Sequence, residues 1–221
     1  MSRAIPVPTA AHAEEMLGEV RALASTLGES GAIGQVGAPA SSRLLTLTTV
    51  TAWRKFLDEE FHAVVVSQEW PLVLQAQEFA RSGHARELVA LDQAWGRLRA
   101  TLPVELPSLT DASFRVGQHQ LNRLLPLRDQ RLVPRYLAAI AAGDAHGWHP
   151  LVYGVVLGIF ALPVRQGLLR YGRQTAAGFF ASTPLATSLT EVARDELISE
   201  TDRTLAAAVS RLLPATPLVV V

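Results

Sequence analysis

The segment GWHPLVYGVVLGIF, Gly147 to Phe160, is the most distinctive in the chain. Pro150 suits the first turn of a helix, where its missing N–H is not needed. Leu151 to Val164 is a run of fourteen residues without a charge, interrupted by Gly154, Gly158 and Pro163. A bilayer span needs about 20 apolar residues, so the run reads as a helix buried in a protein core. Gly154 and Gly158 stand four apart on one face of it. A mid-helix glycine costs about 1 kcal/mol relative to alanine. Close approach of a neighbouring helix is the compensation that this spacing permits.

Helices are expected on both sides of this one. Leu162-Pro163 interrupts it, and a further helix continues to about Phe180, with Arg165, Arg170 and Arg173 on its polar side. A last helix covers Leu189–Leu212. Upstream, Arg131–Ala142 forms a helix and Gly143–His149 a break. Another opens at Thr110 or Asp111 and reaches Leu125, with Phe114, Gly117, Leu121 and Leu124-Leu125 inward. Ala85–Leu102 carries Leu88, Leu91, Ala94, Trp95 and Leu98 at helical spacing, and Pro103 and Pro107 follow as a turn. Glu69–Ser82 opens with Trp70-Pro71 and stops at Gly83-His84. The β-branched run Thr46–Thr51 fits the cap and first turn of a helix to about Val66, its apolar side Trp53, Phe56, Leu57, Phe61 and Val64. The first helix is Ala10–Leu27, capped by Thr9 and stopped by Gly28. No useful length has strand periodicity, and no repeat of fixed period occurs. The expected fold is all-α, a single-domain helical bundle of about eight to ten helices. It spans residues 10–213, between an N-terminal tail, 1–9, and an apolar C-terminal tail, 214–221.

Composition narrows the chemistry. The 221 residues hold 20 basic and 20 acidic side chains, a net charge of zero, which argues against bulk attraction to nucleic acid or an anionic membrane. With no cysteine, there is no disulfide framework, thiolate metal site or cysteine nucleophile. Lys55 is the one lysine, which leaves almost no room for a phosphate-binding P-loop. No targeting or membrane segment is evident, so a cytoplasmic location is expected.

Few residues suggest catalysis. His146 and His149, three apart, offer two imidazoles to one ion, or serve in capping and packing. Glu14-Glu15 and Glu59-Glu60 read as solvated helix faces. Gly28, Gly31, Gly34 and Gly37 lie in a loop reaching Ser42, without the strand and lysine of a phosphate cradle. No G-x-S-x-G accompanies the serines. No catalytic residue and no stably bound cofactor or metal is expected.

Three segments, Asp111 to Leu124, Gly147 to Pro163 and Gln174 to Pro184, stand in an order that resembles the urease accessory proteins of the UreF family. Asp111-Ala-Ser-Phe-Arg-Val-Gly-Gln-His-Gln-Leu-Asn-Arg-Leu124 is similar to its A-S-x-x-x-G-x-x-L-L helix. Gly147 to Gly154, with Gly158 and Leu162-Pro163, is similar to its G-H-x-x-v-x-G helix pair. Gln174 to Pro184 is similar to the segment that ends in a basic residue, two hydrophobic residues, proline and Gly-Gln. Glu29-Ser30 stands where the family has Asp-Ser. The chain departs from the family at Gly31–Ser42, at Ala181 in place of the basic residue, and at Ala186-Thr187 in place of Gly-Gln.

The resemblance implies a non-enzymatic scaffold. Such a protein bridges a UreD/UreH-like accessory protein and a UreG-like GTPase on apo-urease, while the partners handle nickel, and is usually a homodimer. The same all-helical reading leaves open a maturation chaperone for another metalloenzyme, or an all-α enzyme with a buried pocket. Partner-interface candidates are Glu29, Ser30, Arg115, His119, Arg123, His149, Tyr153 and Pro184; close helix packing is expected at Gly117, Gly154 and Gly158. Arginine favours such interface contacts through its planar, multidentate guanidinium.

Overall fold

The long first helix, α1, sets the frame. It runs unbroken as α-helix Val50–Lys55, π-helix Phe56–Phe61, α-helix His62–Val64, π-helix Val65–Glu69 and α-helix Trp70–Ser82 in this computed structural model, which describes residues 46–101, 107–124, 131–181 and 189–213. Thr49 caps it, its Oγ1 accepting from the Ala52 N–H at 3.1 Å. Gly83, with φ of 71°, ends it.

The two π stretches correct the expected break between Val66 and Glu69. Trp53, Leu57, Phe61, Val65 and Trp70 are all buried, at spacings of four, four, four and five. An α-helix turns about 100° per residue, so each step of four would rotate this stripe by roughly 40°. Wider turns keep it on one side. The second π turn, closed by the Trp70 N–H on the Val65 carbonyl, also makes room just before Pro71. There an ordinary α turn would meet the proline ring and lose a hydrogen bond.

The remaining helices are α2 (Ala85–Thr101), α3 (Pro107–Arg123), α4 (Leu132–Ala141), α5 (His149–Ile159), α6 (Val164–Ala181) and α7 (Glu191–Leu212). α3 starts at Pro107, earlier than Thr110 or Asp111: the proline taken as a turn residue occupies the first helical position, where its fixed φ is already helical. Between α5 and α6, Ala161 takes a left-handed backbone with φ of 49° ahead of Leu162-Pro163, as the expected interruption requires. Thr190 caps α7, accepting from the Ala193 N–H. Among the described residues there are seven helices and no strand, so the all-α fold is borne out. The number falls below eight to ten because two expected helices are one, and because the expected helix Ala10–Leu27 lies outside the described residues. So do the loop 28–42 and both tails.

α5 lies at the centre. Every residue from His149 to Gly158 is buried, so the segment has no solvent face and needs no polar stripe. A Cβ on Gly154 would meet the Val73 carbonyl, lie 2.8 Å from the Ala76 Cβ and 3.1 Å from the Gln77 nitrogen. One on Gly158 would lie 2.6 Å from both the Ala80 Cβ and the Gln77 carbonyl oxygen. The backbone of α5 therefore rests directly on the last part of α1. At the other end of α1, Trp53 meets Phe180 edge-on at 5.3 Å and Phe56 meets Phe179 at 6.1 Å, joining α1 to α6. α7 is fastened outside by Arg54 on Glu200, at 2.7 and 2.9 Å, and by Arg173 on Asp202 at 2.8 Å.

Candidate functional site

The loop between α4 and α5 is the most heavily constrained irregular segment in the described residues. A carboxylate on α2 holds it. Asp92 has no exposed surface. Its Oδ1 accepts from the His146 backbone N–H at 2.7 Å and its Oδ2 from the Gly147 N–H at 2.9 Å. The Tyr136 hydroxyl donates to Oδ2 at 2.5 Å, and the His146 ring Nδ1 lies 3.1 Å from Oδ1. Burial, with the Asp92 charge and hydrogen bond beside it, raises the Tyr136 phenol well above its ordinary range. The tyrosine therefore stays a donor.

The same helix, α2, and α3 complete the clamp. The Gln93 side chain donates to the Asp144 carbonyl at 2.8 Å, and Gln118 to the His146 carbonyl at 3.0 Å. The His149 N–H donates to Ser113 Oγ at 3.2 Å. Phe114 stacks on the His146 ring, 5.4 Å between centroids, and packs against Trp148 at 4.0 Å. Gly147 has a φ of 75°, a conformation that glycine adopts without steric cost. A Cβ on Gly117 would run into its carbonyl, so α3 passes against the loop backbone itself.

The candidate residues separate into groups. Arg115, His119 and Arg123 recur every four residues along the exposed side of α3, opposite the buried Val116, Gln120 and Leu121. His149 and Tyr153 are without exposed surface, which corrects their assignment to a partner-facing surface: α5 is covered on all sides, so they act through packing. Glu29, Ser30 and Pro184 lie outside the described residues. The His146 and His149 rings do not converge. The first is half exposed against Asp92 and Phe114, while the second lies inside, 5.3 Å from the Tyr171 ring and 5.9 Å from that of Tyr153. Among the described residues no three histidine or acidic side chains are grouped as a metal site.

Among the described residues neither ring nitrogen of His149 has a hydrogen-bond partner, and burial lowers its pKa to about 3. The unfolded chain takes up this proton near pH 6.5. The folded pKa is the lower one, so its contribution to stability is full above about pH 6.5 and is lost as pH falls toward 3. About 2 kcal/mol is expected to disappear between pH 7 and pH 5 from this group alone. In urea unfolding at both pH values, His149→Phe is expected to show a markedly smaller loss than the natural chain; an identical loss would refute the assignment.

Asp92 was hidden among the acids of a mixed helix. The available signal was its place between Leu88 and Trp95, four before and three after, on the buried stripe of α2. The partnership of Glu69 with Tyr171, whose hydroxyl donates to Glu69 Oε2 at 3.0 Å across 102 positions, left no local signal.

These groups fix backbone and surface shape, and with the fold they define an all-helical protein whose polar network serves architecture. The UreF family model matches residues 47–183, from the cap of α1 to just past α6 and more than half of the chain, and the protein belongs to that family of urease accessory proteins. No curated protein and no solved structure matches the chain. No helix among the described residues is long and apolar enough to cross a membrane.

Proposed function

We propose that the protein is a scaffold in urease maturation, joining a UreD/UreH-like accessory protein and a UreG-like GTPase on apo-urease. Nickel is carried by those partners as cargo, and this chain holds no cofactor of its own. The reading includes a homodimer, a cytoplasmic location and an influence on the GTPase step. The family match across six of the seven described helices carries it. The basic stripe Arg115, His119, Arg123 supports it as a surface that can meet a partner, since arginine at an interface pairs with carboxylates bidentately.

The test is capture under native conditions with UreD/UreH and UreG homologues co-expressed from a urease operon. The full chain is expected to retain both. Arg115→Glu with Arg123→Glu is expected to weaken capture of at least one partner by about tenfold or more, as loss of an interfacial charge contact does. A natural chain that retains neither homologue would overturn the proposal.

A further inference from the structure

A groove of about 340 Å³ runs between α6 and α7, beside the start of α1. The buried rings of Trp53 and Phe180 lie at its floor. Ala176 and Ala177 leave the space open, because their side chains stop at Cβ. Leu197 and Ile198 line it from α7, and Ile198 is 47% exposed. The Arg173 and Asp202 side chains at its edge bind each other at 2.8 Å, so their charges are already matched. A cavity of about 150 Å³ holds benzene, so this groove takes about two or three aliphatic side chains.

One segment of this chain carries side chains in the matching pattern. Met16, Val20, Leu23 and Leu27 of the expected helix Ala10–Leu27 recur at steps of four, three and four. That is the spacing by which a helix seats its anchors in an apolar groove. The segment holds three glutamates, Glu14, Glu15 and Glu19, against one arginine, Arg21. Glu15 and Glu19 flank the apolar stripe on one side. The bundle offers the opposite charge. Arg170 stands four positions before Gln174 and Arg194 four before Ile198, each one turn further along a groove-lining side. Neither has an ion pair among the described residues.

The connection permits the contact. Residues 28–45 join the segment to Thr46, seven positions before Trp53 in the groove floor. At up to about 3.3 Å per residue, these eighteen residues reach beyond the length of α7, which is about 33 Å. A tethered segment also meets its groove at an effective concentration in the millimolar range, so a shallow contact suffices to hold it.

We propose that Ala10–Leu27 docks as a helix in the groove between α6 and α7. Its apolar stripe covers Trp53, Phe180 and Ile198, and its acidic side faces Arg170 and Arg194. The contact needs no partner protein, so its failure leaves the scaffold reading untouched.

The test is amide hydrogen exchange of the full chain, without partners, read by mass spectrometry over residues 10–27. The segment is expected to exchange about tenfold or more slower in the natural chain than in Leu23→Glu, which sets a charge in the middle of the stripe. Ile198→Glu, a change at an exposed position of the bundle, is expected to release the segment equally while the cooperative melt is kept. Arg170→Glu with Arg194→Glu is expected to weaken protection about threefold. Adding Glu15→Arg and Glu19→Arg to that variant is expected to restore it. Exchange at the unprotected rate in the natural chain would overturn the proposal, as would protection unchanged in Leu23→Glu or in a folded Ile198→Glu. Protection that rises with protein concentration would assign the groove to a second copy. Protection of Ile198 that arises only with an added accessory protein would assign it to a partner, and either result also overturns the proposal. If Ile198→Glu fails to fold, Leu23→Glu and the charge exchange still decide.

Discussion

Gly154→Leu is expected to leave the chain unable to form its native core. The first atom beyond the glycine Cα already has no space: it meets the Val73 carbonyl and approaches the Ala76 Cβ to 2.8 Å. A carbonyl in the middle of a helix cannot rotate away, so α1 and α5 must separate. Forcing extra groups into a packed core typically costs about 1–3 kcal/mol for small additions, and Gly154→Ala falls in that range. Leucine adds three more carbons, and separating the helices also exposes the central element of the core, against a typical total stability of about 5–15 kcal/mol. The expected result is aggregation or loss of the cooperative melt. Gly83→Ala serves as the contrast. Nothing lies within 4 Å of its Cβ position, and only the left-handed backbone opposes it, for about 1–2 kcal/mol. If Gly154→Leu melted at the wild-type temperature, α5 would not rest on α1 as described.

Asp92→Ala is expected to cost about 4 kcal/mol or more. Three donors lose their acceptor together: the Tyr136 hydroxyl and the His146 and Gly147 N–H groups. Each buried donor left unpaired costs about 1–3 kcal/mol, although water admitted into the space left by the side chain recovers part of this. Asp92→Asn keeps one acceptor oxygen and is expected to lose about half as much by the same reckoning. Urea unfolding of the two variants and of Tyr136→Phe separates the carboxylate's hold on the loop from its bond to the phenol. An unchanged midpoint for Asp92→Ala would show that the loop stands without its clamp.

Much of this architecture was legible in the amino-acid sequence because helical periodicity, proline and glycine are local signals. The buried α5 was readable from an uncharged run too short for a bilayer, and its two glycines marked the side from which another helix approaches. The π stretches were not readable with a period of 3.6, although spacings of four from Trp53 to Val65 were in plain view. Pro71 misled for a related reason: it suits a helix start, and also the turn after a widened one. The candidate surface was partly legible, since Arg115, His119 and Arg123 fall on one exposed side of α3. His149 and Tyr153 were misplaced because polar rings next to a glycine-rich helix resemble an exposed cap, whereas their environment is set by α6, which local sequence does not reveal. Asp92 shows the same limit, for its bonds reach 54 and 55 positions along the chain.

The complete enclosure of α5 has a consequence for how the protein comes to be folded. Its contacts with Val73 and Ala76 join positions about 80 residues apart, and such distant pairings form late because the loop between them must close first. Until then the chain carries an adhesive segment with no wet side. The half-assembled species, rather than the finished molecule, is where losses to aggregation occur. The speed with which that segment is covered is therefore expected to set how much of the chain reaches the finished fold, a kinetic burden written into the same residues that make the core tight.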